Sequence, residues 1–203
     1  MKKTRGFLLV AAAMFLTFSC SSGDDSGGGT CSTNFKTVRI GTQIWMAENL
    51  NCDAKGSVCY DGDPANCERY GRLYNRKTAL TICPKGWHLP SEAEWDILIN
   101  YAGDSSTAGI KLKATGGWNE DDDGVSGNGT DALDFSALPG GMCTWNGNLC
   151  SHIGNWGYWW TATESGSSGS DNRAIGGYGA NSFVSGHPGF LETDLISVRC
   201  VKD

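Results

Sequence analysis

A glycine-broken acidic segment near the middle of the chain is the first candidate for chemistry. Residues 118–134 combine carboxylates and side-chain amides in a stretch whose glycines and asparagines favour a loop. Calcium takes six to eight oxygens from carboxylates, asparagine side chains and backbone carbonyls. The segment therefore predicts a candidate calcium site with the ligands Asn119, Asp121, Asp123 and Asp131. A solvated acidic loop is the alternative, because the spacing departs from the EF-hand pattern.

Aromatic side chains form the second candidate site. Sugar rings pack their C–H faces against aromatic rings, and Trp and Tyr add a polar group. Several aromatic residues lie in or beside glycine-rich loops, and the candidates for a sugar-binding surface are Trp118, Trp145, Trp156 and Tyr158. The alternative for each is packing in the core. At least one of the neighbouring pair at 159–160 should face the core, because successive residues on a strand point to opposite faces.

Catalytic groups are not evident in the sequence. No Ser or Cys lies in a recognisable nucleophile motif, and the three histidines are scattered. Glu92 and Glu94 are acids of the type that glycoside hydrolysis needs in pairs, but helix capping explains both. The sequence therefore predicts a protein without catalytic activity.

Composition narrows the class of protein. The chain has 203 residues, 29 of them glycine, and a formal net charge of −6. This length suffices for one domain with a substantial core. The acidic balance argues against a nucleic-acid partner, which would favour a basic surface.

The N-terminus has the pattern of an exported lipoprotein. Three cations precede an apolar run that is too short to span a bilayer comfortably. The run ends at residues 16–20, LTFSC, which resembles a bacterial lipobox and implies lipid attachment to the Cys20 thiol. We expect a signal peptide at 1–19, and the lipidated cysteine with a flexible Gly/Ser/Asp tether at 20–34. An uncleaved helical anchor is the alternative.

The acids at 24–25 resemble the short acidic export signals of Bacteroidetes surface lipoproteins, although a solvated linker is an equal alternative. The expected location is the outer membrane, with the lipid as the only membrane contact and the domain exposed at the surface.

Eight cysteines follow Cys20, and an even number in an exported chain predicts disulfides. Many connectivities are possible for eight cysteines. Two pairs, Cys59–Cys67 and Cys143–Cys150, bracket short polar loops and suit local crosslinks. Cys83–Cys200 would tie the first helical region to the C-terminus, and Cys31–Cys52 completes the set. Zinc binding is disfavoured, because the sequence has no Cys-x-x-Cys.

The elements that would position these residues are short. Residues 36–45 alternate branched and polar side chains around a glycine and predict a β-hairpin. Residues 51–70 are predicted as a loop and 73–82 as a short helix. Ser91 and Glu94 form a capping box that predicts a helix ending near Gly103. Strands are predicted at 135–138, 158–163 and 196–201, so the fold class is α+β.

Eight blocks carry a resemblance to a known family. They are residues 38–50 (VRIGTQIWMAENL), 59–61 (CYD), 67–74 (CERYGRLY), 83–95 (CPKGWHLPSEAEW), 127–131 (GNGTD), 135–141 (FSALPGG), 159–164 (WWTATE) and 197–203 (SVRCVKD). Together they resemble the Fibrobacter succinogenes major paralogous domain of exported bacterial proteins, which would occupy 35–203. The family has no established biochemical activity, and some members are suspected of attachment to plant polysaccharide.

The blocks LPSEAEW and RCV are also similar to the formylglycine-generating, sulfatase-modifying fold, a relative of C-type lectins. This similarity implies a C-type-lectin-like architecture with two short helices, a small twisted antiparallel sheet, long irregular loops and disulfide crosslinks. A Cys83–Cys200 bridge would suit that topology.

We therefore expect a noncatalytic cell-surface lipoprotein that binds carbohydrate or acts in adhesion, with a glycan or another cell-surface polymer as partner and calcium as the candidate cofactor. The alternative is a structural or protein–protein interaction module of the cell envelope without a small-molecule site.

Overall fold

Short strands and short helices alternate along the chain in the computed structural model, which describes residues 31, 34–144, 147–164, 172–179, 182–186 and 190–203. The strands are β1 Thr37–Ile40, β2 Gln43–Met46, β3 Ser57–Val58, β4 Leu73–Tyr74, β5 Trp87–His88, β6 Met142–Thr144, β7 Leu149–Ser151, β8 Gly157–Trp160, β9 Asn172–Gly176, β10 Phe183–Gly186, β11 Ile196–Ser197 and β12 Val201–Lys202. The helices are α1 Pro64–Tyr70, α2 Arg76–Ala79, α3 Glu92–Ala102 and α4 Ala108–Leu112, with a 3-10 turn at Tyr60–Gly62.

A four-stranded sheet joins the two ends of the described chain in the order β1-β2-β12-β5. The predicted hairpin is confirmed, with β1 and β2 paired antiparallel around the turn at 41–42. Val201 of β12 pairs with Trp45 on one side and His88 on the other. The C-terminal strand therefore closes the sheet that the first hairpin begins.

A six-stranded sheet runs in the order β10-β9-β8-β11-β4-β3. Its pairs are antiparallel except for β8 and β11, which run parallel. Every residue of β8 and β9 is buried, as expected for strands covered on both faces. A separate two-stranded sheet joins β6 and β7.

The core is built around a cluster of aromatic rings. Trp95 on α3 lies 5.0 Å from Trp45, 6.0 Å from Phe135 and 6.0 Å from Trp159, measured between ring centroids. Such tilted and edge-on pairs each contribute about 0.5–1.5 kcal/mol beyond their area burial. The cluster fixes α3 against both large sheets.

Helix α3 begins and ends where the sequence predicts. Ser91 caps it, the Glu94 side chain reaches back to the Ser91 backbone N–H, and Gly103 follows its last residue. The other carboxylate oxygen of Glu94 contacts His88: Glu94 Oε1 lies 2.7 Å from His88 Nε2. On its other side, His88 Nδ1 lies 2.8 Å from Asp203 Oδ1. This network connects the start of α3 to β5 and to the segment after β12.

Two expectations for residues 51–82 are wrong. Residues 64–70 form α1 rather than a loop, because Asp63 caps the helix through Ala65 N–H and Pro64 occupies its first position. Leu73 and Tyr74 form β4 rather than the start of a helix, because both are buried in pairs with β3 and β11. The helix that follows begins after the cap Asn75.

The predicted strands also differ in their bounds. Residues 135–138 form no strand and contribute an isolated bridge between Ala137 and Lys113. The strand predicted at 158–163 is β8, displaced to 157–160. The strand predicted at 196–201 is divided into β11 and β12. Helix α4 was not predicted.

Four disulfides crosslink the described chain: Cys31–Cys52, Cys59–Cys67, Cys83–Cys200 and Cys143–Cys150. These are the pairs named from the sequence. The Cys83–Cys200 bridge spans 117 residues and anchors β12 beside the segment that leads into β5.

The fold class is α+β, as predicted. The described residues contain four α-helices, twice the number expected, and three sheets in place of one. No helix among the described residues is long and apolar enough to cross a membrane.

The hydrogen bonds of His88 to Glu94 and Asp203 should make the stability of the protein depend on pH. Burial acts to lower the pKa of His88, but its hydrogen bonds to Asp203 and Glu94 together raise that pKa above the usual value. The resulting stabilisation is complete below the ordinary histidine pKa of about 6.5 and is lost as the pH rises through the raised value.

We expect the wild-type free energy of unfolding to decrease above about pH 6.5 and that of His88→Gln to lack this decrease. Urea unfolding at a series of pH values measures both. Parallel pH profiles for the two proteins would contradict a role for the network.

Candidate functional site

Two of the four predicted calcium ligands, Asp121 and Asp131, accept hydrogen bonds from residues that follow them closely in the loop. Asp121 Oδ1 accepts hydrogen bonds from the backbone N–H groups of Asp123 and Val125. The Asp131 carboxylate accepts from the backbone N–H and the hydroxyl of Ser136. Within the described ranges, no three His, Cys, Asp or Glu side chains gather in an arrangement that could hold a metal ion. These hydrogen bonds shape the loop around its own carboxylates.

A buried lysine holds this loop to the rest of the fold. Lys113 Nζ donates to the carbonyl oxygens of Gly127 and Gly177 and to the Ser182 hydroxyl. The ammonium also lies 4.1 Å from the centroid of the Trp118 ring, a cation–π contact. Burial lowers the pKa of Lys113 to about 8. The Lys113 ammonium thus connects the loop after α4 to the residues that follow β9 and precede β10.

Two of the predicted sugar-stacking residues lie in the interior. Trp118 is 5% exposed and its indole N–H donates to the Ala137 carbonyl. Tyr158 is 2% exposed, and burial raises its pKa to about 12. The protein covers both rings, so neither offers a stacking face. Trp145 lies outside the described residues.

Trp156 is half-buried and packs against other rings. It stacks on Tyr158 with an angle of 8° between the ring planes and meets Phe183 edge-on. A Cβ placed on Gly176 would lie 2.6 Å from the Trp156 ring, so the indole approaches bare backbone there. Much of the ring is therefore engaged in packing.

Asn119 meets a polar surface beside Trp156. Its backbone N–H donates to Gly154 O, and its Nδ2 donates to Asn155 Oδ1 over 3.2 Å. The Tyr178 hydroxyl donates to the same Asn155 oxygen over 3.5 Å. We call Asn119, Asn155 and Tyr178 the amide patch.

A groove of about 870 Å³ is lined by polar and apolar side chains in similar measure, and we call it the polar groove after its charged residues. Its walls come from residues 34–38, 46–52 and 67–71, together with Asp134, Ser136 and Leu138. The Cys31–Cys52 disulfide pins the first wall to the second, since Cys52 itself lines the groove. This volume is within the range of ligand-binding pockets.

Charged side chains of both signs line the polar groove: Lys36, Glu48, Glu68, Arg69 and Asp134. None of the five takes part in an ion pair with any residue that the structure describes. All except the half-buried Glu48 are exposed. The groove therefore offers charged groups outside every described ion pair; within the fold, Glu48 Oε1 accepts from the Lys36 backbone N–H and the Arg69 guanidinium lies over the Tyr70 ring.

A buried guanidinium supports the groove from beneath. Arg199 Nη2 donates to Asn49 Oδ1 over 2.7 Å and to Ser136 O over 3.3 Å, and both partners line the groove. The same Asn49 oxygen accepts from Trp159 Nε1 over 2.8 Å, while Asn49 Nδ2 donates to Tyr70 O. Burial lowers the pKa of Arg199 to about 9, and the nearby carboxylates of Asp131 and Glu48 oppose that shift.

The backbone of one groove wall is held in an uncommon conformation. Asp131, Asp134 and Ser136 have φ values of 47°, 53° and 52°, in the left-handed region that non-glycine residues seldom adopt. Such conformations persist only where surrounding contacts determine them, and they concentrate at functional sites. Here the contacts are the hydrogen bonds from Ser136 to the Asp131 carboxylate and from Arg199 to Ser136 O.

Sequence reasoning did not find the polar groove. Three of its five charged residues lie inside the blocks that carried the family resemblance, Glu48 in MAENL and Glu68–Arg69 in CERYG. The available signal for a binding site was the presence of charged residues within blocks that otherwise appear structural. Their convergence depends on contacts between distant segments, which no local pattern reveals.

The Fibrobacter succinogenes major domain matches residues 38–202. The chain belongs to this family. Most of the polar groove lies within the family domain, whereas residues 34–37 of its first wall precede the match. No curated protein and no solved structure matches the chain.

The loop-holding role of Lys113 is testable by Lys113→Met, which keeps the length of the side chain and removes the ammonium. The change leaves two buried carbonyls and a hydroxyl without their donor, so we expect a loss of about 2–5 kcal/mol in the free energy of unfolding. Denaturant unfolding measures it. An unchanged stability would show that the ammonium does not hold the loop.

Proposed function

We propose that this member of the family is a noncatalytic binding module of the cell surface and that its polar groove binds a saccharide. The observation that carries the proposal is the set of charged side chains lining the groove, which no ion pair among the described residues occupies. Within the fold, Glu48 accepts one hydrogen bond from the Lys36 backbone N–H and Arg69 lies over the Tyr70 ring. The remaining hydrogen-bonding capacity of the five charged groups is available to a ligand.

The balance of charge favours a polyhydroxyl ligand. The groove lining has two cations, Lys36 and Arg69, and three acids, Glu48, Glu68 and Asp134. A polyanion would meet the acids and a polycation would meet the cations. A sugar hydroxyl both donates and accepts, so it finds a partner on either kind of side chain.

The proposed location is the outer membrane, with Cys20 lipidated and the domain held at the surface by the 20–34 tether. Four disulfides in the described chain suit an oxidising compartment outside the cytoplasm. Calcium remains a proposed cofactor of the 118–134 loop, and the binding experiment below separates its role from that of the groove.

We further propose a C-type-lectin-like architecture for the domain. The pairing of β12 with both β2 and β5 supports it, because strands from the two ends of the domain then lie together. The Cys83–Cys200 bridge closes the same region.

A protein-interaction module is the second candidate function. Ile97 and Tyr101 are 48% and 59% exposed and lie one turn apart on α3, so they form a small apolar surface. This surface lies on a different element from the groove walls, and variants in the groove would leave it intact.

The test is binding of the full-length protein to a panel of soluble glycans and insoluble polysaccharides, with calcium and with chelator. The double variant Glu68→Ala/Arg69→Ala removes one acid and one cation from the groove. We expect it to bind about tenfold or more weakly, because charged hydrogen bonds contribute about 1.5–3 kcal/mol each.

The matched control is Lys77→Ala/Glu192→Ala, which removes one exposed cation and one exposed acid outside the groove. It should bind like wild type, and circular dichroism should show all three proteins folded. Equal binding by both double variants, or no binding by wild type, would contradict the groove proposal. Release of reducing sugar would replace the binding module with a hydrolase, and loss of binding in chelator would implicate a cation.

A further inference from the structure

We propose that the binding surface continues beyond the polar groove to a second subsite at the amide patch, so that the ligand is an internal stretch of an extended saccharide polymer. This inference rests on the proposed function and specifies its ligand. It follows from how the groove, a bare glycine segment and the amide patch adjoin one another.

Gly117 lies beside the groove, two residues before the amide patch. A Cβ placed on Gly117 would lie 3.7 Å from Arg69 Nη2 and 3.6 Å from Leu138 Cδ2, and both of those residues line the groove. A Cβ on the preceding Gly116 would meet nothing within 4 Å. Beside the groove the chain therefore presents two glycines: Gly117 contacts the Arg69 and Leu138 side chains, and Gly116 faces open space.

The amide patch begins only two residues further along the chain. Successive Cα atoms are about 3.8 Å apart, so the Cα of Asn119 lies within about 7.6 Å of that of Gly117. A ligand that leaves the groove beside Arg69 and crosses Gly117 therefore comes within reach of Asn119.

The side chains of the patch are positioned before any ligand arrives. A Cβ on Gly154 would lie 2.4 Å from Asn119 Nδ2, so the Asn119 amide packs directly on glycine backbone. Asn155 Oδ1 accepts from both Asn119 and Tyr178, which fixes the three side chains relative to one another. Fixed side chains lose little conformational freedom on binding, and this favours affinity.

The patch keeps hydrogen-bonding capacity for a neutral ligand. Asn119 is exposed, and Asn155 and Tyr178 are half-buried. Each side-chain amide has two donors and an acceptor, and the contacts within the patch use only part of that capacity. Uncharged amide and phenol groups of this kind suit sugar hydroxyls.

A two-part surface makes a distinctive prediction about ligand length. A short oligosaccharide fills the groove alone, whereas a longer one also crosses Gly117 and contacts the amide patch. Affinity should therefore rise with chain length until both subsites are occupied, and the increase should depend on the patch.

The experiment measures the affinity of the full-length protein for cello-, xylo- and manno-oligosaccharides, each as a size series from disaccharide to polymer. In Asn155→Ala/Tyr178→Phe we expect short oligosaccharides to bind like wild type and the longest to bind about five- to tenfold more weakly, since each hydrogen bond contributes about 0.5–1.5 kcal/mol. The Lys77→Ala/Glu192→Ala protein serves again as control.

A blocking variant tests the path between the subsites without touching either one. Gly116→Trp places a bulky side chain where the structure has open space, so the fold should tolerate it. We expect it to weaken binding of the long oligosaccharides and to leave that of the short ones unchanged.

The outcomes separate this inference from the groove itself. Wild-type affinity that does not depend on length would overturn the second subsite while the groove stands. Equal weakening of short and long ligands in the patch variant would also overturn it, because the patch would then act within a single site. Failure of every saccharide to bind would overturn both proposals.

Discussion

The fully buried guanidinium of Arg199 is the constraint on which both the core and the groove depend. Its hydrogen bonds run to Asn49 Oδ1 and to the carbonyl oxygens of Phe135 and Ser136, and none of these partners carries a charge. The ring of Phe135 lies 4.3 Å away and supplies a cation–π contact. A buried charge is costly unless its donors are satisfied, so these segments must come together for the chain to fold. The wall of the groove is thus fixed by the same contacts that stabilise the interior.

That constraint explains which features the sequence predicts and which it does not. Helix α3 and the first hairpin depend on neighbours a few residues apart, such as Ser91 with Glu94, and both are predicted correctly. The last strand is divided because β11 pairs with β4 and β8 whereas β12 pairs with β2 and β5, and a local pattern cannot show pairing with such distant strands. The groove is hidden for the same reason, since its walls come from three separate segments.

The acidic loop illustrates how one local pattern fits two different structures. Carboxylates on a glycine-rich segment suit a cation site, and a cation does hold this loop, but it is the ammonium of Lys113. Lysine side chains are usually exposed, so the sequence alone does not predict that Lys113 is buried. Its burial becomes favourable only when the Trp118 ring and the Gly127 carbonyl, from the segment that follows it, meet the Gly177 carbonyl, 64 residues away.

Two sets of charged groups in this fold have different consequences for binding. Arg199, Lys113 and Arg173 are buried and fully committed to partners in the protein, so they contribute to structure and cannot reach a ligand. Four of the five charged side chains of the groove are exposed and none forms a described ion pair, so a ligand must displace their water before it contacts them. Because that displacement offsets much of each new hydrogen bond, the net gain from a single contact is small. Strong attachment therefore requires many contacts in series, and a groove that opens across bare glycine onto a second set of fixed polar groups provides them to a long ligand more effectively than to a short one.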